Sequence, residues 1–321
     1  MNGLNRWESG DCAIEVENLT RHFDDLIAVD GVNLQVPRGS VLGLLGVNGA
    51  GKSTLIKMLM GHLRPSAGNI RILGRDLKKE QLEIRRRVGY VSENRYLYEW
   101  MTVEEILRFT QAFHENWAEE KARELVERFT LPMKKKIREL SRGNRARVCL
   151  LLALAYNPEL ILLDEPTTGL DPIVRRDFLE NIIWEIGQEG RTVLFSSHIV
   201  EEIERIADYV AIMDNGRILS VSTVEALKQS HRRVRFSSTG NQTELARAPG
   251  LLAIYQARHE SILTLQGFGE ESLRWLESHG VHQPELLPMS LEEIFVDSVR
   301  ARRRLEGKED RWEVRYADKG D

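Results

Sequence analysis

Up to Ser220, the order of apolar and polar positions predicts strands that alternate with helices. Between Ile14 and Val36, apolar and polar residues alternate in two stretches, which is typical of a half-buried antiparallel β edge. Short, continuous apolar runs follow and predict buried strands. These runs are Ser40–Leu45, Ile70–Gly74, Val88–Ser92, Leu160–Leu163, Thr192–Ser196 and the two halves of a hairpin, Val210–Met213 and Arg217–Ser220.

The segments between these runs carry apolar residues at the spacing of a helical face. They predict helices over Ser53–Leu63, Thr102–Phe113, Ala118–Phe129, Arg145–Ala155, Arg176–Gln188 and Glu201–Ala207. Thr102 is followed three residues later by Glu105, a capping-box pattern that marks a helix start. Strands that alternate with helices in this way predict an α/β domain with a largely parallel sheet.

The pattern changes near Thr223, where a second domain is predicted to begin. Beyond it, strands and helices are predicted in the order βαββαβ, which favours a small α+β domain of the ferredoxin-like kind. Ser290 and Glu293 form another capping box, which opens a last helix that runs to about Leu305. The predicted elements before that helix are Arg232–Ser238, Thr243–Arg247, Leu251–Arg258, Ser261–Gly267, Glu271–His279 and Pro284–Leu287.

The last residues of the chain, 306–321, are rich in charge and lack apolar periodicity. Such a segment buries too little apolar surface to offset the entropy lost on ordering, so a disordered or weakly ordered tail is predicted. The sequence therefore predicts a first domain over 14–221 and an accessory domain over 222–305.

Composition narrows the functional classes. The net charge of -4 and the pI near 6.1 argue against a protein that holds nucleic acid through a bulk positive field. The two cysteines, Cys12 and Cys149, are far apart, which excludes a disulfide scaffold and favours a reducing compartment. The first residues lack an apolar core and no apolar run reaches 18 residues, so neither a secretory signal nor a membrane span is expected.

Residues 46–54 contain the most informative motif of the chain. Gly46, Gly51, Lys52 and Ser53 fill every fixed place of the phosphate-binding loop pattern G-x-x-x-x-G-K-[ST], between a predicted strand and a predicted helix. Glycines allow successive N–H groups to turn towards an anion, Lys52 can reach the β- and γ-phosphates, and Ser53 can ligate Mg²⁺. The residues predicted to hold the nucleotide here are Asn48, Gly49, Ala50, Gly51, Lys52, Ser53 and Thr54.

A second site motif ends the predicted strand Leu160–Leu163, where two carboxylates follow in succession. A buried strand delivers Asp164 to a fixed position, where it can hold the metal together with Ser53. Glu165 then lies next to the γ-phosphate and can orient or deprotonate an attacking water. Two solvated acids at a strand end are the alternative, which the phosphate loop makes less favoured.

Three further motifs complete the picture: Leu140–Asn144 (LSRGN), Thr168–Asp171 (TGLD) and Ser196–His198 (SSH). In this order, the five motifs make the chain closely resemble the nucleotide-binding subunit of an ATP-binding cassette (ABC) transporter. The resemblance covers about Ile14 to Ser220 and implies the P-loop NTPase fold of an ABC cassette, with an antiparallel β edge and a helical subdomain at about 94–157.

The resemblance also implies roles for individual residues. Two cassettes pack head to tail around two ATP molecules, so Ser141 and Gly143 would touch the γ-phosphate held by the opposite subunit. Asp171 would bridge the two sites, and His198 would contact the γ-phosphate and hold the water. Phe23 falls where the family places an aromatic ring on adenine, although a core phenylalanine is the alternative.

Two positions depart from the commonest family pattern. Glu93 stands where glutamine is usual, and its carboxylate can still approach Mg²⁺ or water, so it is a catalytic and metal candidate. Glutamate there resembles the branch of exporters whose membrane subunit is a separate polypeptide. In the segment Leu140–Asn144, the signature motif of the family, Arg142 replaces the first glycine. The change removes backbone freedom but could add positive charge near a phosphate. Hydrolysis that is slower, or unequal between the two sites, is the expected consequence.

The region between Glu93 and Ser141 should receive the membrane partner. An aromatic-rich segment follows Glu93 directly, and such residues suit an interface that accepts a helix of the partner. The alternative is that they form the subdomain's own core. The segment contains Tyr96, Leu97, Tyr98, Trp100 and Met101.

The chain therefore resembles the ATPase subunit of an ABC-type exporter, which implies ATP and Mg²⁺ as cofactors. It would lie on the cytoplasmic face of a membrane, pair with a second ATP-binding subunit and drive a separate transmembrane permease. Nucleic acid is not expected as a partner. One alternative is a soluble cassette ATPase that acts on ribosomes or DNA. Translation factors of this type carry two cassettes in one chain and DNA-repair members carry long coiled-coil insertions, and this sequence has neither feature. The other is a regulatory module that binds ATP and hardly hydrolyses it.

Overall fold

A computed structural model describes residues 11–237, 242–256, 260–307 and 313–315. Contacts within the chain divide it into two compact units, residues 1–221 and 222–321. In the part of the chain that the structure describes, no helix combines the length and the apolar character that crossing a bilayer requires.

The first unit is built on two sheets. A four-stranded antiparallel sheet has the order β2-β1-β4-β5, and a six-stranded sheet has the order β10-β9-β3-β8-β7-β6. Their strands are β1 (Cys12–Phe23), β2 (Leu26–Pro37), β3 (Val41–Leu45), β4 (Ala67–Ile72), β5 (Arg75–Asp76), β6 (Val88–Val91), β7 (Leu160–Asp164), β8 (Thr192–Ser197), β9 (Tyr209–Asp214) and β10 (Arg217–Thr223).

The six-stranded sheet positions the site motifs. Strand β3 pairs in parallel with β8 and β9, and β7 pairs in parallel with β6 and β8. In this register, Leu45 lies opposite Ser197 and Asp164 lies opposite Ser196. Because the carboxyl ends of parallel strands meet at one edge, the segments that follow β3, β7 and β8 meet there as well. The predicted α/β cassette with an antiparallel edge is confirmed.

The hydrophobic core of this unit lies between the two sheets and the first helix. Ile14 and Leu34 from the antiparallel sheet, Leu44 from the parallel sheet, and Leu55 and Ile56 from the helix belong to one fully buried cluster. The burial pattern follows the alternation of the sequence in β1 and is continuous in β3. The antiparallel sheet therefore has one face in contact with solvent, whereas the parallel sheet is covered on both faces.

The helices of the first unit largely follow the predictions. Thr102 and Glu105 form the expected capping box, with N–H···O distances of 3.2 and 2.8 Å. The helices are α1 (Lys52–Leu59), α2 (Gln81–Arg85), α3 (Val103–Gln111), α4 (Glu119–Arg128), α5 (Arg142–Leu154), α6 (Pro172–Glu189) and α7 (Val200–Ile206).

Two of these helices begin earlier than predicted because side chains cap them. Helix α5 starts at Arg142, where the Ser141 hydroxyl accepts a hydrogen bond from the Asn144 N–H at 3.2 Å. Helix α6 starts at Pro172, and an Asp171 carboxylate oxygen accepts from two N–H groups of its first turn at 3.1 and 3.2 Å. Proline suits the first helical position, where its missing N–H is not needed.

The second unit begins with a helix that the sequence analysis missed, and its sheet has the order β14-β11-β13-β12-β15. Neighbours among β11 to β14 are antiparallel, which is the strand order 4-1-3-2 of a ferredoxin-like domain. Its elements are α8 (Val224–Ser230), β11 (His231–Ser237), α9 (Gln242–Leu245), β12 (Leu251–Gln256), β13 (Glu260–Gln266), α10 (Glu270–Ser278), β14 (Glu285–Leu287), α11 (Leu291–Leu305) and β15 (Glu313–Arg315).

Residues 313–315, within the tail predicted to be disordered or weakly ordered, are a short strand that the sequence analysis did not predict. They form β15, which pairs in parallel with the edge strand β12, with Val314 opposite Tyr255. An edge strand offers unpaired backbone groups, so even a short segment without apolar periodicity can add to it. The rest of the predicted tail beyond Gly307, and the predicted strand ends at Ser238 and Arg258, lie outside the described residues.

Candidate active site

The phosphate loop lies between β3 and α1 and depends on glycine at two positions. Gly49 has a φ of +82° and Gly51 a φ of +105°, in a region that side chains disfavour. A Cβ atom on Gly51 would lie 2.4 Å from the carbonyl oxygen of Ala28, whereas one on Gly49 would meet nothing within 4 Å. The loop can therefore turn its N–H groups towards an anion only while residue 51 has no side chain.

This difference gives a matched pair of variants. Gly51→Ala should weaken ATP affinity by about tenfold or more, because it adds a clash with Ala28 to backbone strain of about 1–3 kcal/mol. Gly49→Ala carries the strain alone and should have the smaller effect. Titration with a fluorescent ATP analogue measures both variants. Equal losses of affinity in the two would contradict this account of the loop.

Lys52 is the buried cation of the loop, with 5% of its surface exposed. Its Nζ donates hydrogen bonds to the carbonyl oxygens of Gly46 at 2.7 Å and Val47 at 3.2 Å. The same atom lies 3.0 Å from Oε1 of Glu165. The ammonium group therefore points into the loop, where an anion bound by the loop would compete with Glu165 for it.

Ser53 and Asp164, the two residues that the sequence predicts to hold a metal, lie within hydrogen-bonding distance of each other. The Ser53 hydroxyl donates to Oδ1 of Asp164 at 2.8 Å, and the Ser196 hydroxyl donates to the same oxygen at 3.1 Å. Burial raises the pKa of Asp164, the two hydroxyl groups counteract part of that rise, and the charge of Glu93 adds to it.

Ser53 and Asp164 suit Mg²⁺, which needs few protein ligands, better than they suit a metal ion that is coordinated by protein side chains alone. Within the described ranges, no group of three or more His, Cys, Asp or Glu side chains could hold a metal ion. Mg²⁺ usually takes one or two protein ligands and completes its octahedron with phosphate oxygens and water. Ser53 and Asp164 supply such a pair, one hydroxyl and one carboxylate, next to the loop.

Glu165 follows Asp164 in an uncommon backbone conformation, with a φ of +46°. Its N–H donates to the Ser196 hydroxyl at 2.9 Å. Oε2 accepts from the Thr168 hydroxyl at 3.2 Å and lies 2.8 Å from Nδ1 of His198. With Lys52 on Oε1, both oxygens of this buried carboxylate are held in place. The structure thus brings together Lys52, Glu165 and His198, which the sequence placed in three separate motifs.

The remaining site candidates lie at the ends of other elements. The ring of Phe23 is 39% exposed, which does not fit a core phenylalanine, and the Arg21 guanidinium lies 4.5 Å from its centroid. The side chain of Glu93 is exposed, and its charge acts on Asp164. Ser141 and Asp171 cap neighbouring helices.

Helices α5 and α6 meet closely at their N-terminal ends. A Cβ atom on Gly143 would lie 2.6 Å from the Val174 side chain, so glycine is needed for this contact. Arg142 lies beside the turn between Glu165 and Asp171 in its own chain, since a Cβ on Gly169 would be 3.6 Å from its Nη1. The signature and the TGLD motif therefore belong to one surface of the subunit.

Glu202 is a site residue that the sequence analysis missed. Its side chain is 2% exposed, and Oε2 accepts from the hydroxyls of Thr167 at 2.9 Å and Ser197 at 2.6 Å. Burial raises the pKa of Glu202, while these two hydroxyls and the charge of Arg175 lower it. Glu202 ties the segment after Glu165 to the residue before His198. In the sequence it is one of several acids at a helix start, so no local signal marks it.

Comparison with known proteins places this constellation in context. The family model described as ABC transporter matches residues 29–168. The daunorubicin resistance ATP-binding protein DrrA3 of Streptomyces coeruleorubidus is 38% identical over 223 residues, which are 68% of this chain and 70% of that protein. The uncharacterized ABC transporter ATP-binding protein YhaQ of Bacillus subtilis is 31% identical over 298 residues, 90% of this chain and 99% of that protein.

The similarity extends to solved structures. A structure described as the ATP binding subunit of an ABC transporter superposes with a TM-score of 0.62 at 31% identity and covers 68% of this chain and 92% of its own. The match with YhaQ is longer than the first unit, so its similarity includes part of the second unit.

Proposed function

This chain belongs to the ATP-binding proteins of ABC transporters, and from that premise we propose that two copies close around two Mg-ATP and drive a separate membrane permease. The chain is an ATPase of this family. The observation that carries the proposal is the position of the Glu165 carboxylate. It lies 3.0 Å from Lys52 of the phosphate loop and 2.8 Å from His198, directly after Asp164, which pairs with Ser53.

Each of these side chains has a defined task in hydrolysis. Lys52 binds the β- and γ-phosphates, and leaves Glu165 as it does so. Glu165, released from that ion pair, accepts a proton from the attacking water, while His198 keeps the carboxylate in its orientation. When bound by Ser53, Asp164 and, in this proposal, Glu93, Mg²⁺ supplies positive charge that neutralises phosphate oxygens. The adenine ring stacks on the exposed face of Phe23.

Dimerisation follows from the surface that carries the signature. Ser141 caps α5 and Gly143 lies in its first turn, and N–H groups at a helix start favour a phosphate from a partner. Asp171 caps the neighbouring helix α6 and, in the proposal, faces the second copy. A chain that carries Glu165→Gln should double its mass on addition of ATP and Mg²⁺, as measured by light scattering. A mass that stays at one subunit would contradict the head-to-tail dimer.

An aromatic surface supports docking of a membrane partner. Large parts of its side chains are exposed: Tyr96 by 84%, Trp100 by 64% and Tyr98 by 50%. The ring of Tyr98 stacks edge-on against Phe109 at 5.3 Å, and Phe109 against Phe113 at 5.1 Å. The subdomain's own core therefore does not account for these rings. Clustered exposed aromatic residues of this kind are typical of protein interfaces.

Trp100→Ala tests this surface. We expect it to lower the amount of membrane protein recovered with the chain by about tenfold, since a central aromatic at an interface often contributes 2 kcal/mol or more, about 30-fold in affinity. ATP hydrolysis by the isolated chain should not change. Leu82→Ala is the matched control, because Leu82 is 66% exposed on α2. Equal recovery with Trp100→Ala and with the unchanged chain would remove the aromatic surface from the proposal.

The direction of transport is proposed to be export. One relative is named for daunorubicin resistance. The YbhF protein of Escherichia coli, 37% identical over 224 residues that are 68% of this chain and 38% of that protein, is named as a probable multidrug ABC transporter ATP-binding protein. These names, together with glutamate at position 93, support an exporter whose permease is a separate polypeptide. The chain would then lie on the cytoplasmic face of the membrane.

A further inference from the structure

Arg95 connects the start of the aromatic surface to the turn that follows Glu165. It follows Glu93 in the chain, in a left-handed backbone conformation with a φ of +44°. Its Nη2 donates hydrogen bonds to the carbonyl oxygens of Pro166 at 2.5 Å and Thr168 at 2.9 Å. These two carbonyls lie on either side of Thr167, in the turn that follows Glu165.

Within that turn, Thr168 makes two hydrogen bonds to Glu165, one of them to its carboxylate. The Thr168 N–H donates to the Glu165 carbonyl at 3.2 Å, and the Thr168 hydroxyl donates to Oε2 of Glu165 at 3.2 Å. Arg95 therefore holds the backbone of a residue whose side chain orients the carboxylate. A shift of the guanidinium would move the turn, and with it the carboxylate, relative to the phosphate loop.

On its other side, Arg95 is continuous with the aromatic surface, which begins at Tyr96. Backbone and side-chain contacts hold the segment 96–101 to the residues just before and within α5. The Glu99 carbonyl accepts from the Arg138 N–H at 3.1 Å, and the Glu99 carboxylate pairs with Arg145 at 3.0 Å. A partner that pushes on this segment would thus act on Arg95 as part of one connected piece.

The surroundings make Arg95 a costly anchor for a merely structural purpose. Its guanidinium is half-buried and binds two neutral carbonyls rather than a carboxylate. An arginine that is desolvated without a carboxylate in contact gives up hydration for a specific geometry.

We propose that Arg95 is a positioning residue, which passes movement of the aromatic surface to the turn after Glu165 and so sets the place of that carboxylate for hydrolysis. This inference rests on the proposed function, because the movement comes from the docked membrane partner. In this proposal Arg95 acts through the turn after Glu165 and is not itself a ligand of the nucleotide. Its expected signature is a change in turnover without a change in ATP binding.

The test compares Arg95→Gln and Arg95→Lys in the full-length chain. Arg95→Gln should lower kcat by about 10- to 100-fold, since a misplacement of about 1 Å can cost that much, and should leave the KM for ATP within about twofold. Amide hydrogen exchange should become faster in residues 167–171 without added nucleotide. Arg95→Lys keeps the positive charge and most of the side-chain length, which Arg95→Gln loses, so its ammonium group should still donate to the two carbonyls of the turn and recover part of kcat. Arg86→Gln, at an exposed arginine that pairs with Glu83 and Glu115, is the control.

Two results would overturn the inference: an unchanged kcat in Arg95→Gln, or a joint loss of kcat, ATP binding and thermal stability. The latter would mark Arg95 as a structural anchor. Failure of the proposed function is a separate result, because it would appear as absence of a membrane protein in material recovered with the unchanged chain. Under the inference, Arg95→Gln still recovers that protein in full, whereas Trp100→Ala recovers about tenfold less of it.

Discussion

Replacement of Glu165 by glutamine is expected to lower kcat for ATP hydrolysis by about 100- to 10,000-fold, the usual contribution of a general base. Glutamine has the size of glutamate and can keep the contacts with Thr168 and His198. Its amide cannot accept the proton of the attacking water. The variant should therefore bind ATP and stop before hydrolysis.

ATP affinity should stay the same or increase in this variant. A neutral side chain at position 165 frees Lys52 from the ion pair at 3.0 Å, so less free energy is needed to turn the ammonium towards phosphate. Phosphate release under saturating ATP and equilibrium nucleotide binding measure the two effects separately. Glu159→Gln is the control, because Glu159 is an exposed carboxylate that pairs with Arg87. Turnover within threefold of the unchanged chain would refute the role of Glu165.

Replacement of Lys52 by methionine is expected to weaken ATP affinity by about 10- to 150-fold. A hydrogen bond to a charged group contributes about 1.5–3 kcal/mol, and the variant loses at least one such bond to phosphate. The methionine also leaves the buried Glu165 carboxylate without its cation, which adds negative charge beside the incoming phosphates. Both effects disfavour binding, so this variant and Glu165→Gln should move ATP affinity in opposite directions.

Nucleotide titration of the full-length chain, with thermal melting alongside, measures the Lys52→Met effect. Lys57→Met is the matched control, since Lys57 is an exposed lysine in the last turn of the same helix. It should bind ATP as the unchanged chain does. An ATP affinity of Lys52→Met within threefold of the control, in a protein that melts normally, would contradict the assignment of Lys52 to the phosphates.

Much of the fold could be predicted because its signals are local. The apolar run before Gly46 and the phosphate-loop pattern after it place a buried strand, a turn and a helix within some twenty residues. The capping boxes at Thr102 and Ser290 likewise need only neighbours three positions away. In the second unit, the order of short strands and helices was enough to favour a ferredoxin-like arrangement.

The elements that the sequence did not predict correctly depend on residues far away in the chain, or on residues that have two roles. Ser141 and Asp171 were interpreted only as contacts across a dimer, yet each also caps a helix in its own chain, which is why α5 and α6 start early. Strand β15 depends on the open edge of β12, nearly sixty positions earlier. The contacts of Arg95 and Glu202 with the turn after Glu165 can be recognised only in the folded chain, because their partners lie in other motifs.

The central claim is that this chain is the ATP-hydrolysing subunit of a transporter whose permease is a separate protein. The measurement that tests it most directly is affinity purification of the full-length chain from gently solubilised native membranes, followed by identification of what is bound. The account predicts a polytopic membrane protein in stoichiometric amount. Recovery only from the soluble fraction, alone or with ribosomes or DNA, would contradict it and favour a soluble ABC ATPase.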